Sequence, residues 1–339
     1  MCYGGMTLNA NAQRLYLHCR CKARGKPPAG YRDKRGPPAE RAHLNRRTHF
    51  YGETASLQRK KALLGTTTAA LALLIATAAF AAVINGTPGN DTLIGTAQDD
   101  TINGFAGDDS ITGLGGNDTI DAGEGNDTVR GDGTCPPTSP PYYCIPGNEG
   151  NDRISAGSGN DTVNGNGGND IIGGEQGNDR LRGDAGNDRI TGSSGRDQVS
   201  GGTGNDRLDG GTGNDEVNGR SGNDRINGGS GSDDLFGSGG RDRVIGGARN
   251  DRVSGGSGSD RLSGGTGNDR LTGGTGNDRI SAGNGRDRVS GGRGNDRINV
   301  RDGKRDIVNC GPGRDRVTAD RRDRVARNCE RVSRRRARS

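Results

Sequence analysis

The chain of 339 residues has no tryptophan, four phenylalanines, six tyrosines and two methionines, and only 27% of it is apolar. So few large apolar side chains exclude a globular core of the size usual for this length, and bulk composition alone points towards disorder. Histidine is nearly absent as well. His18, His43 and His49 all precede residue 50, and downstream of Ala81 the chain keeps neither histidine nor methionine and a single lysine, Lys304. A Ser-His-Asp triad, a Cys-His pair and a His-ligated zinc site are therefore excluded from that part. Carboxylates remain, but glycosidase-type chemistry needs two of them in unlike settings across a cleft. No enzyme is expected, and no small-molecule substrate.

What the chain has in quantity is glycine, 66 residues of it, and a periodic aspartate. Aspartate returns every nine residues at Asp91, Asp100, Asp109, Asp118 and Asp127. It then returns at Asp152, Asp161, Asp170, Asp179, Asp188, Asp197, Asp206, Asp215, Asp224, Asp233, Asp242, Asp251, Asp260, Asp269, Asp278, Asp287 and Asp296. The second series is seventeen units without a slip. The run Gly201-Gly202-Thr203-Gly204-Asn205-Asp206-Arg207-Leu208-Asp209 shows the unit, with glycine at positions 1, 2 and 4, aspartate at 6 and an aliphatic residue at 8. Disorder gives no reason to keep Ile190, Val199, Leu208, Val217 and Ile226 each two places after an aspartate. A fixed short period marks a solenoid, in which each unit buries its apolar side chain only by stacking on its neighbours.

The formal charge of +6 conceals three unlike regions. Residues 1–82 carry 14 Lys/Arg against 3 acids, residues 84–300 carry 20 against 33, and residues 301–339 carry 14 against 6. The array is acidic and its flanks are basic. Ahead of it, Arg59-Lys60-Lys61 leads into an apolar stretch from Ala62 to Phe80, and Ala79-Phe80-Ala81 fits the small-x-small rule of a signal peptidase site. The reading is a signal peptide over 59–81 and a secreted or surface-associated product, with an uncleaved anchor as the alternative. Residues 1–58 are polar and basic, broken by Lys26-Pro27-Pro28 and Gly36-Pro37-Pro38, and read as an unstructured or untranslated upstream segment.

Four cysteines lie beyond the signal segment. Cys135 and Cys144 close a Pro/Tyr-rich insertion, and Cys310 and Cys329 bracket the end of the array. An even number in an exported chain reads as disulfides, and four distant thiolates on one zinc is the rival. The interval from Asp127 to Asp152 is one period plus sixteen residues, so the insertion, 134–147, is expected to leave the solenoid without disturbing its core.

These units resemble the RTX, or haemolysin-type calcium-binding, nonapeptide repeats, and Gly255-Gly256-Ser257-Gly258-Ser259-Asp260-Arg261-Leu262-Ser263 matches that consensus at every defined place. The resemblance covers residues 84–300 and implies an all-β fold, a parallel β-roll with the signal segment outside it. It implies two nonapeptides per coil, six-residue turns that bind calcium ions between successive coils, and strands made of the x-aliphatic-x triplets. Calcium takes six to eight oxygen ligands. Glycine frees the turn to direct its carbonyls, and the 22 aspartates are the candidate metal ligands. With two units per coil the neighbour of Asp206 is Asp224, and strand neighbours sit ~4.8 Å apart. Carboxylates so stacked repel until a divalent ion lies between them, so folding is expected to require calcium.

The expected divisions are N-terminal repeats and cap over 84–133, the main roll over 148–300, a degenerate C-terminal cap over 301–333 and a basic tail over 334–339. Asp296, Asp306, Asp315 and Asp323 step by 10, 9 and 8 there, and loss of period suits a terminal cap. Position 7 is often arginine. On one coil edge Arg189, Arg207, Arg225, Arg243, Arg261, Arg279 and Arg297 follow without a gap, while the other carries Arg180, Gln198, Glu216, Asp234, Arg252, Arg270 and Arg288. The unbroken file either offsets aspartate charge or binds anionic cell-surface polymers, which would make the chain an adhesin. An ice-binding threonine ladder is not expected, because Thr203 is followed along its edge by Ser221 and Gly239. The product is expected to be a monomeric rod.

Overall fold

The computed structural model describes residues 3–6, 17–20, 81–133 and 150–335. The chain divides into two units, Met1–Leu64 and Gly65–Ser339. In the first, Tyr3–Met6 and Leu17–Arg20 pair antiparallel, with Tyr3 opposite Arg20. The rest of 1–58, read from the sequence as an unstructured or untranslated upstream segment, lies outside the described residues. The apolar stretch of the signal segment, 62–80, and the Cys135–Cys144 insertion lie outside the described residues. Among the described residues no helix is long and apolar enough to cross a membrane.

The second unit is a parallel β-solenoid. Successive strands alternate between a 14-stranded sheet, which starts at Val83–Asn85, and a 13-stranded sheet, which starts at Thr92–Ile94. Two strands make one coil, giving about 13 coils, and at ~4.8 Å per coil the stack runs ~62 Å. Each strand of the regular array pairs with the strand 18 residues on, so Leu208 faces Ile226 in the first sheet and Val217 faces Leu235 in the second. The position-8 side chains fill the space between the sheets. Ile190, Leu208, Val217, Leu235 and Leu271 are all at most 1% exposed. Position 7 is exposed and position 8 buried along strand after strand, as alternation along an extended chain requires.

The strands are longer than the expected triplets. From Thr162–Gly167 to Arg288–Arg293 they span six residues, positions 7 to 9 and then 1 to 3. The register omits position 1, passing from Asp209↔Asn227 to Gly211↔Gly229, so the strand bends there without leaving the ladder. The reason is that each turn stacks on a like turn, whose amides and carbonyls have the same spacing. Gly213 N donates to the Ser230 carbonyl at 2.9 Å. Turn residues therefore pair as strand residues do.

Pairing survives both interruptions of the period. Across the insertion Ile120 pairs with Ile154 and Val129 with Val163, 34 residues apart. At the other end Ile298 pairs with Val317, Val308 with Val325 and Val317 with Val332. The last strand, Arg331–Arg335, carries sheet pairing into the first residues of the basic tail read over 334–339. Arg334 is held there because its Nη1 donates to the carbonyls of Asp320 (3.0 Å) and Asp323 (3.2 Å) at the open end of the roll. Cys310 and Cys329 are bridged in these final coils.

Candidate metal centre

Position 6 ends each turn, and the aspartates that occupy it are buried, Asp91 at 4% exposure being the least so of the 22. Their placement follows from two local constraints. The strand that begins at position 7 fixes the direction in which position 6 points. The glycines ahead of it leave room for the side chain. A Cβ on Gly204 would overlap the Gly186 carbonyl, and Gly204 has φ +133, a conformation L side chains rarely adopt. At Gly204 the coil beneath thus leaves no room for a side chain, whereas Arg249 takes the same position at φ 80.

The aspartates form two continuous ladders, one per edge. Asp188 N donates to Asp206 Oδ1 at 2.9 Å, Asp206 N to Asp224 Oδ1 at 2.8 Å, and Asp224 N to Asp242 Oδ1 at 2.8 Å. On the other edge Asp197 N donates to Asp215 Oδ1 and Asp215 N to Asp233 Oδ1, both at 2.9 Å. The ladder crosses the insertion through Asp118 N to Asp152 Oδ1 and Asp127 N to Asp161 Oδ1. Oδ1 is therefore an acceptor within the fold. Oδ2 is not: from Asp109 to Asp296, all twenty of these aspartates bury Oδ2 without a hydrogen-bond partner. A buried acceptor left unsatisfied in a protein interior is costly, and an ionised one more so.

The electrostatics reflect that cost. Burial raises Asp118 and Asp170 to about 8, and Asp152, Asp161, Asp224 and Asp251 to about 7, against the amides that favour the anion. Repulsion from the ladder neighbours adds to the rise at Asp224, whose carboxylate feels Asp206 and Asp242. Rows of carboxylates that resist ionisation call for a cation.

The donor set fits calcium. Among the described residues no three His, Cys, Asp or Glu side chains converge as a metal cluster, so backbone carbonyls and water would complete the oxygen set. The space beside position 1 supplies the carbonyls. The point where a Cβ of Gly210 would stand is 2.7 Å from Asp215 Oδ2 and 2.8 Å from the Gly228 carbonyl of the next coil. A carboxylate oxygen and a carbonyl oxygen from successive coils on one cradle is an all-oxygen environment suited to a hard cation. Asp215, Gly228 and their equivalents would hold the ion.

The two ends depart from this pattern. Asp100 has no orphaned oxygen: Ala82 N and Thr96 Oγ1 donate to Oδ1, and Thr96 N donates to Oδ2. At Asp91, Thr87 N and Oγ1 both donate to Oδ2, and the buried oxygen left over is Oδ1. In both units threonine replaces the position-2 glycine. At the other end the ladder continues past the last aspartate expected, because Asp287 N donates to Asp306 Oδ1 and Asp296 N to Asp315 Oδ1, each at 2.8 Å, with both Oδ2 atoms orphaned. Glu330 takes the next rung, its Oε2 accepting from Asp315 N at 2.8 Å. Slipped spacing hid these three from a nine-residue search, although the Asp-Arg-Val at 315–317 carries the signal.

A second ladder had not been foreseen. Position-5 asparagines bond in the opposite direction, so that Asn205 N donates to Asn187 Oδ1 at 2.8 Å and Asn223 N to Asn205 Oδ1 at 2.9 Å, each seconded by the side-chain amide. Each turn is thus tied to both of its neighbours through side chains.

The arginine files lie where position 7 places them. In the first sheet Arg189, Arg207, Arg225, Arg243, Arg261, Arg279 and Arg297 are paired in order, and Arg316 and Arg331 extend the file to nine. In the second, Arg252 pairs with Asp234 at 3.2 Å. Thr203 pairs with Ser221 and Ser221 with Gly239, so that edge has no threonine ladder.

A family model described as the RTX calcium-binding nonapeptide repeat (4 copies) matches residues 85–120, 103–133, 146–181, 173–208, 200–235, 209–244, 236–271 and 263–298. No curated protein matches the chain. Among solved structures it is similar to a hyperactive, Ca2+-dependent, beta-helical antifreeze protein from an Antarctic bacterium. The identity is 23%, over 72% of this chain and 83% of that one, with a TM-score of 0.38.

Proposed function

The chain belongs to the RTX calcium-binding nonapeptide repeat family, and we propose that it is an exported structural module whose β-roll folds as calcium fills the two aspartate ladders. The rows of orphaned Oδ2 atoms carry this reading. Calcium supplies charge neutralisation and a bridge between successive coils. The chain's own residues do the rest: position 6 presents a carboxylate, position 1 presents its carbonyl, and the Oδ1 and asparagine ladders hold the turns at one spacing. One aliphatic side chain per nine residues returns little burial energy against the backbone entropy of so many glycines. The metal is what tips the balance. The role is structural, in keeping with identical carboxylates in identical settings.

Circular dichroism of the chain from residue 82 onward, in chelator and then in millimolar calcium, tests this. At neutral pH the β spectrum should appear only with calcium, and a fully formed spectrum in chelator at that pH would overturn the reading. Export is tested separately by sequencing the N-terminus of the protein recovered outside the producing cells, which should begin near Ala82.

A second reading, adhesion to anionic polymers, is favoured by the nine-arginine file. At ~4.8 Å per coil it presents an unbroken cationic row ~38 Å long.

A further inference from the structure

The edge of the second sheet is grooved between its position-5 and position-7 side chains. Two stretches of this groove have opposite character. The N-terminal stretch, of about 620 Å³, has Arg180 and Arg196 on its walls against Glu216 and Asp234. The C-terminal stretch, of about 750 Å³, is lined by Arg252, Arg270, Arg286, Arg288, Arg305 and Arg324. All six arginines are exposed. They come from both walls, Arg286 and Arg305 from position 5 and the others from position 7. From Asp234 to Arg324 the groove crosses five strand intervals, ~24 Å.

We propose that this C-terminal groove is a binding site for an acidic polysaccharide, a chain of uronate-type sugars lying along the roll axis. Two facing rows of guanidinium groups at regular intervals suit a linear polyanion, and arginine grips carboxylates with paired hydrogen bonds. The carboxylates that face the groove are few. Asp234 stands at one end, already paired with Arg252. Asp251, Asp269 and Asp287 form the floor, buried, with Oδ1 accepting a backbone amide. The proposal rests on the calcium reading, since calcium on those three floor residues leaves the groove strongly cationic.

The rest of the lining selects among polyanions. The groove has no aromatic side chain, so a single-stranded nucleic acid would find no stacking platform. Ser232, Asn250 and Asn268 line it as well. The Oδ1 atoms of Asn250 and Asn268 accept the amides of Asn268 and Arg286, which leaves the Nδ2 groups as donors. Amide and hydroxyl groups between guanidinium rows match the alternating hydroxyls and carboxylates of an acidic sugar chain, whereas inorganic polyphosphate offers them acceptors alone.

Isothermal titration of the calcium-loaded chain with hexagalacturonate, too short to gel with calcium, tests the site. Binding should weaken at least about tenfold in R270Q/R286Q/R288Q/R305Q, as loss of charge-assisted hydrogen bonds implies, and change little in R130Q/R153Q/R182Q/R220Q, exposed arginines outside both this groove and the nine-arginine file. The carboxyl-reduced hexasaccharide should not bind. Four results would overturn the proposal: undiminished binding by the folded groove variant, equal loss in both variants, binding of the reduced sugar, or tighter binding of polyphosphate or of single-stranded DNA. The calcium-dependent β spectrum of each variant separates failure of this site from failure of calcium folding: a variant that folds with calcium and still binds fully sinks the groove alone.

Discussion

The two ends of the roll depart from the repeat in opposite ways. At the front, Asp91 and Asp100 keep the nine-residue step, yet Thr87 and Thr96 donate to their carboxylates, and Asp100 has no orphaned oxygen. At the back, Asp306 and Asp315 have lost the step, yet they accept the amides of Asp287 and Asp296 and bury an unpartnered Oδ2 as the central aspartates do. Period and site are therefore separable. What leaves Oδ2 orphaned is a turn stacked in register on a like turn whose position 2 does not donate to the aspartate, as Ser193 and Ser238 do not to Asp197 and Asp242, and the number of residues between turns can vary if strand pairing absorbs the difference.

The widest test of the ladders is pH without metal. The carboxylates of Asp118 and Asp170 move from the usual aspartate range to about 8 in the fold. Between those limits the folded chain holds protons that the unfolded chain has released, so stability is retained below about pH 4 and falls as pH rises through about 8. In chelator, the β spectrum should strengthen on acidification and fade on return to neutral pH. Calcium should reverse that order at neutral pH. A spectrum in chelator indifferent to pH would mean that the buried rows are not strained by ionisation.

Next in size is a break in the middle of the stack. Gly222 sits at φ +140 with the Gly204 carbonyl where a Cβ would go, so Gly222→Ala should cost more than about 3 kcal/mol and raise the calcium concentration needed for folding. Alanine is native at position 1 in Ala122, Ala156 and Ala282, all fully buried. Gly210→Ala at the equivalent place should therefore be much milder on folding, as the calcium midpoint by circular dichroism would report.

The comparison of the ends is sharpest in paired substitutions. Asp306→Asn should lower the calcium bound per chain, as Asp215→Asn should in the centre, whereas Asp100→Asn should leave the count unchanged. Equilibrium dialysis with radioactive calcium reads this directly. Equal losses at all three positions would show that the threonine contacts do not close the front site. The smallest effect is expected at the bridge. Removing Cys310–Cys329 opens a loop with a sequence separation of 19 and should cost about 3 kcal/mol on the loop-entropy account, fraying the last coils while the centre keeps its calcium midpoint.

Much of this was legible in the chain itself. The coil of two units followed from the resemblance carried by glycine, aspartate and aliphatic positions, and the pairing of Asp206 with Asp224 fits it. The outward arginine and buried aliphatic residue followed from strand alternation. What escaped the reading depended on spacing that only pairing can repair. Arg316, Arg331, Asp306, Asp315 and Glu330 fall out of period, and their places come from strands that realign after each slip. The length of the strands escaped it too, since glycine-rich turns look like turns until a second copy lies on them.

The division has a physical cause. A repeat states by itself which residue types recur, and so determines the solenoid, the buried aliphatic file and the hard oxygen chemistry of its aspartates. It cannot state which atoms of those aspartates are already engaged, because Oδ1 and Oδ2 differ only once a neighbouring coil supplies an amide to one and leaves the other buried without a donor. The charge of each edge is likewise a property of stacking. Residues 18 apart in the chain become neighbours at strand spacing, and the basic groove exists only where position-5 and position-7 arginines from several coils meet.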